Sequence, residues 1–139
     1  MSFKIIGKYI KNVKFGIPNP KSFFLLSKNI ANYKINIDIK SNQIKERIIE
    51  VETSLNLLPI KEGFEKIDTK IVYSAIIELE NNFSDKTEIE KIILINVPTQ
   101  IYPELRKIFI FIFENSGFKD VNINETVNFQ ELYNKRKTQ

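Results

Sequence analysis

A chain of 139 residues, 42% hydrophobic and 27% charged, belongs to the globular class and is long enough to bury a core of its own as a single domain. It contains no cysteine and no histidine, which excludes disulfides, thiolate nucleophiles and Cys- or His-based metal sites, and removes the commonest general base. The net charge of +4 is spread without any long block of like charge, so it reads as a compositional habit and not as a nucleic-acid surface.

The first segment, "FKIIGKYIKNVKFGI" (3–17), alternates: Phe3, Ile5, Tyr9, Val13, Phe15 and Ile17 on odd positions, Lys4, Lys8, Asn12 and Lys14 on even ones. This predicts a half-buried strand whose polar face is interrupted by Ile6 and Ile10. Its lysines leave no room for the apolar core of a signal peptide, so a soluble, cytoplasmic protein is expected. "IPNPKS" then reads as a turn. "YKINIDIK" (33–40) alternates strictly and predicts a second strand, closed by a turn at "SNQ" (41–43). A third strand has Ile49, Val51, Thr53, Leu55 and Leu57 inward and Glu50, Glu52, Ser54 and Asn56 on a solvated face. After a loop over 59–68, "KIVYSAIIELENNF" predicts a fourth strand, with Ile71, Tyr73, Ala75, Ile77 and Leu79 on one face. Short connections between the strands favour an antiparallel meander.

The period then changes. Over 84–97, Asp85 and Glu88 form a capping-box pattern, and Ile89, Ile92 and Ile93 follow at helical spacing. "PTQIYP" interrupts with two prolines, and a second helix is expected over roughly 103–116. An extended closing segment and a short amphipathic end follow, with a polar basic tail from about residue 134. Strands followed by helices predict an α+β fold: a four-stranded antiparallel meander with two C-terminal helices packed on one face. The second helix is apolar nearly all round. Leu105, Ile108, Phe109 and Ile112 form one side, and Ile110, Phe111 and Phe113 fill most of the rest. One sheet face cannot cover both sides, so either the helix lies deep between its own sheet and the closing segment or, the favoured reading, a second subunit packs against Ile108, Ile110, Phe111 and Phe113.

Three pieces of the chain, in order, resemble the SecB family. The first is the opening strand and its close, with Phe3, Ile5, Tyr9, Val13, Phe15, Pro18, Asn19 and Phe23. The second is the P-x-x-x-x-P-x-x-R spacing of Pro98, Pro103 and Arg106. The third is Val127, Asn128 and Phe129, followed by Leu132 and Tyr133. The resemblance implies a homotetramer, a dimer of dimers with the long helices between the dimers. It implies a chaperone that binds unfolded preproteins in hydrophobic grooves and passes them to the SecA motor, with no catalysis, no cofactor and no metal. By the same resemblance, Tyr33, Ile35 and Ile37 of the second strand, Phe83 at the strand–helix junction, Ile101 and Tyr102 between the helices and Tyr133 near the end would touch the client. Ile76 and Glu78 would dock SecA. Two first-strand positions that are acidic in the family are Asn12 and Gly16 here, and the junction reads Glu80, Asn81, Asn82 where the family has a glycine-containing turn. A SecB-like chaperone of a toxin–antitoxin pair therefore stands as an alternative.

Other classes make contrasting expectations. A single-strand nucleic-acid binder needs aromatics and cations in one groove, whereas Tyr9 and Phe15 alternate away from Lys4, Lys8 and Lys14. A structural oligomer without a client predicts no open apolar groove. An acid–base enzyme would have to use Glu50, Glu52, Glu78 or Glu80, none of which has an orienting partner in the sequence.

Overall fold

The computed structural model describes residues 3–30, 33–60, 63, 67–80, 85–118 and 123–137. Strands β1 (Phe3–Gly16), β2 (Tyr33–Lys45), β3 (Ile48–Pro59) and β4 (Asp68–Leu79) form one antiparallel sheet in the order β1-β4-β3-β2. The last three strands are a meander. The first is not joined to β2 as a simple four-strand meander requires: it lies beside β4, the Greek-key arrangement in which one long connection crosses the sheet. That connection contains helix α1 (Pro20–Asn29), where the sequence pattern predicts only a turn. The same residues that mark a turn also start a helix here: Asn19 caps it by accepting the Ser22 N–H at 2.8 Å, and Pro20 sits at the first helical position.

The β2–β3 hairpin turns at Glu46 and Arg47, not at 41–43. Ser41, Asn42 and Gln43 stay in the ladder opposite Val51, Glu50 and Ile49, because Asn42 has a partner on the sheet surface: its amide donates to Glu52 at 3.0 Å. Arg47 takes the left-handed conformation (φ 69°) that closes the turn.

β1 departs from strict alternation. Its register against β4 skips one residue between Ile5 and Gly7 and another between Ile10 and Asn12. Each such bulge moves the following side chains to the opposite face. Phe3 and Ile5 face the core, then Lys8 and Ile10 take that face, then Val13 and Phe15. Tyr9, expected beside Phe15, therefore points to the outer face with Lys4 and Lys14.

The two helices expected to be separated by prolines are one continuous rod. Helix α2 (Lys86–Lys91) passes through a π-helical turn, Ile92–Asn96, into α3 (Val97–Asn115) without leaving helical backbone angles. Pro98 has no N–H to give, and the wide turn directly before it accommodates that loss; the Thr99 hydroxyl supplies a donor to the Ile95 carbonyl. At its far end α3 stops in a Schellman motif. Gly117 (φ 99°) lets its N–H reach Glu114 and the Phe118 N–H reach Phe113, and the rings of Phe113 and Phe118 meet at 5.6 Å.

The core lies between the inner sheet face and α3. Val97, Ile101, Leu105, Phe109 and Phe113, spaced every four residues, are all buried. They pack in one cluster with Val51, Leu55 and Leu57 of β3 and Ile71, Ala75 and Ile77 of β4. Each such Val, Leu, Ile or Phe side chain stabilises the fold by about 1.5–3 kcal/mol. Helix α4 (Phe129–Lys137), capped by Asn128 through the Glu131 N–H at 3.0 Å, closes the chain with Phe129 and Tyr133 buried.

Candidate polypeptide-binding groove

Among the described residues β2 pairs with β3 on one side only, so it is an edge of the described sheet. Its inward residues Ile35, Ile37 and Ile39 pack against the core yet stay partly exposed. Facing them across a gap are Ile89, Ile93 and Leu94 on the α2 end of the rod, with Leu132, Tyr133 and Arg136 of α4 at the side. The gap comprises adjoining hollows of about 360 and 140 Å³. A separate recess of about 60 Å³ lies under the start of β2, lined by Tyr33, Ile35 and Phe109 among others. The result is an apolar trough running beside an unpaired strand edge. A trough of this kind can take apolar side chains while the edge offers backbone donors and acceptors.

Helix α4 is tied to the wall of the trough. The Tyr133 hydroxyl donates to Glu90 at 3.0 Å and Lys137 pairs with the same carboxylate at 2.9 Å, with its ammonium 5.6 Å from the Tyr133 ring. Hydrogen bonding from Lys137, then from Tyr133, lowers the Glu90 pKa; burial and the same carboxylate raise that of Tyr133. The preceding segment is pinned as well. Arg106 donates twice to the Ile123 carbonyl and the Tyr102 hydroxyl donates to that of Asn124 at 2.6 Å.

The expected client residues are thus divided. Ile37 and Tyr133 line the same hollow of the trough, whereas Tyr33 and Ile35 line a separate recess under the start of β2. Ile101 and Tyr102, expected in a loop between helices, lie inside α3 and are buried in the core, because the rod is not broken there. Phe83 lies outside the described residues. Of the expected subunit-contact residues, Ile108 and Ile110 are half-buried and Phe111 is 63% exposed, whereas Phe113 is 1% exposed and packed between Phe15, Phe109 and Phe118 of its own chain. Ile39, Ile93, Leu94 and Leu132 also line the trough, and sequence reasoning missed them. Ile39 continues the Ile35–Ile37 alternation and Ile93 falls at helical spacing from Ile89, but nothing in one sequence says that these two stripes face each other.

The outer sheet face carries charge. Ile76 is half-buried there, and Glu78 lies 3.5 Å from Lys4. Glu50, expected on a solvated face, is only 8% exposed. It accepts from the hydroxyls of Tyr9 and of fully buried Ser74 (2.7 Å), and from Lys11 at 3.1 Å; Lys11, the residue of the second bulge, also reaches Glu52 at 3.0 Å. These hydrogen bonds, Tyr9 first and then Ser74, lower the Glu50 pKa to about 2. A general base working near neutrality needs a carboxylate raised in pKa and free to take a proton. Glu50 is the opposite, a fixed anion that ties β1, β3 and β4 together. The expectation that Tyr9 points away from Lys4 and Lys14 does not hold, but its hydroxyl is committed to Glu50. Among the described residues no group of acidic side chains is placed to hold a metal ion, and no helix is long and apolar enough to cross a membrane.

A four-stranded antiparallel sheet backed by one long helix is a fold shared with SecB-like chaperones. A SecB-like chaperone from Mycobacterium tuberculosis, solved in complex with a ChAD peptide from an antitoxin, superposes with a TM-score of 0.63 over 88% of this chain and 90% of its own, at 11% identity. The chain belongs to the SecB family: the family model for preprotein translocase subunit SecB matches residues 1–139. A Pelagibacter ubique protein, provisionally named protein-export protein SecB, is 38% identical over 97% of this chain and 96% of its own length. The protein-export protein SecB of Anaplasma phagocytophilum is 23% identical over 96% of this chain and 91% of its own. These relatives carry the names of a chaperone family for protein export, not of an enzyme family.

Proposed function

We propose that this protein holds unfolded, export-bound polypeptides in the trough between β2 and the α2 end of the helical rod, and releases them unmodified to the translocation machinery. The observation that carries this reading is the open β2 edge running beside an apolar trough of roughly 500 Å³ in its two main hollows. Apolar burial supplies affinity without sequence preference, and backbone pairing along the edge is available to any extended chain. The complex of the Mycobacterium chaperone with an antitoxin peptide supports peptide binding by this fold, and an antitoxin is the alternative client. Ile76 and Glu78 on the outer sheet face are the proposed contacts for SecA.

The test is size exclusion with light scattering, with and without a chemically unfolded model protein. Co-elution with the unfolded chain and not with its native form is expected; indifference to both would overturn the reading. Leu94→Asp puts a charge in the trough at a half-buried position. It should weaken client binding by about tenfold or more, with little change in the thermal midpoint. Equal binding by this variant would place the client elsewhere.

The same reading makes the protein a homotetramer, with the exposed Phe111 face of α3 covered by another subunit. In a single chain Phe111 presents a large apolar surface to water. Phe111→Glu should yield a smaller species with native circular dichroism. A variant that keeps the wild-type assembly would remove this face from the interface.

A further inference from the structure

We infer that the trough selects apolar segments flanked by acidic residues. This rests on the proposed client-binding role and names its specificity. The larger hollow is lined by Lys86 of α2 and Arg136 of α4 as well as by Ile39, Ile89, Ile93 and Leu94. Among the described residues neither cation has a hydrogen bond or an ion pair within the chain, and both side chains are exposed. The one carboxylate in that hollow, Glu90, is already matched by Lys137 at 2.9 Å and by the Tyr133 hydroxyl, and Arg136 acts on it only through the weaker attraction of a more distant charge. Among the described residues the only other acid on the walls, Asp38, lines the smaller hollow and forms no ion pair with Arg136.

The larger hollow is therefore lined by two exposed positive charges without a direct partner, beside a neutralised acid. An occupant whose apolar side chains fill the hollow brings its flanking residues to those charges. A flanking aspartate or glutamate gains two partners, while a flanking lysine meets like charge, and like-charge juxtaposition at an interface is strongly discriminating. Most of the gain lies at an exposed rim, so it should fade with salt.

The experiment uses three fluorescent peptides with one apolar core and a pair of Asp, Ser or Lys residues at one end, followed by anisotropy with the full chain. At about 50 mM salt the Asp peptide should bind about tenfold tighter than the Lys peptide, and the gap should narrow at about 500 mM. The double variant Lys86→Glu/Arg136→Glu should invert the order of the Asp and Lys peptides, and Lys86→Gln/Arg136→Gln should flatten it. Equal binding of the Asp and Lys peptides to the wild type, or a preference that survives in the variants, overturns the inference while leaving the client-binding role intact. Failure of all three peptides to bind overturns both.

Discussion

Glu50→Ala should lower the thermal midpoint by about 8–12 °C, corresponding to about 2–3 kcal/mol for a domain of this size. The loss comes less from the carboxylate than from what it leaves behind. The Ser74 hydroxyl is fully buried and has Glu50 as its partner, Tyr9 loses its acceptor, and Lys11 loses one of its two carboxylates. Removing one member of such a network strands the others. The effect also has a pH signature. The folded pKa of Glu50 lies near 2, below its ordinary value of 4.5, so its stabilising contribution is complete above about pH 4.5 and disappears as pH falls toward 2. Wild type should therefore lose stability across that window faster than Glu50→Gln, and the two midpoints should converge at its acid end. Parallel midpoint curves from pH 7 to 2 would show that the carboxylate is not held in this way.

Phe109→Ala should cost about 3–5 kcal/mol, the largest single effect expected in the chain. Phe109 is completely buried, stacks on Phe113 with ring centroids 4.8 Å apart, and already borders the small recess under β2, which its removal would enlarge. Phe111, two residues away, offers the contrast. It is 63% exposed, so Phe111→Ala should change the stability of the single chain by less than about 0.5 kcal/mol. Urea unfolding at a protein concentration low enough to dissociate any assembly measures both. Comparable losses for the two variants would mean that α3 is rotated from the orientation described.

This contrast marks the boundary of what periodicity can say. Residues 108–113 are all apolar, but a run of hydrophobes has no phase, so Phe111 and Phe113 look alike in the sequence. Only the every-fourth-residue path from Val97 to Phe113 against β3 and β4 separates them. Tyr102 is misplaced by the sequence pattern for the reverse reason. Two prolines look like an interruption, and the π-helical turn that accommodates Pro98 has no signature of its own. In β1 the alternation is real on average, yet two one-residue bulges exchange Lys8 and Tyr9 between faces. Lys8 pairs with Glu104 of α3 at 2.6 Å, and Tyr9 reaches Glu50 on the outer side. Bulges depend on the register of the partner strand, which a single strand's pattern does not contain.

The amino-acid sequence by itself determined the four strands, the change to helical period after residue 84, the absence of thiol and imidazole chemistry, and an ordered set of motifs sufficient to indicate the SecB family. Those features are local: spacing two against spacing 3.6, a cap, a proline pair. Tertiary structure alone decided that β1 lies beside β4, that Glu50 is buried and ionised, and that Ile37 and Ile39 of one element face Ile93 and Leu94 of another across a trough. Each of these depends on which distant segments pack together, and that is fixed by the summed burial of the whole core and not by any stretch of chain alone.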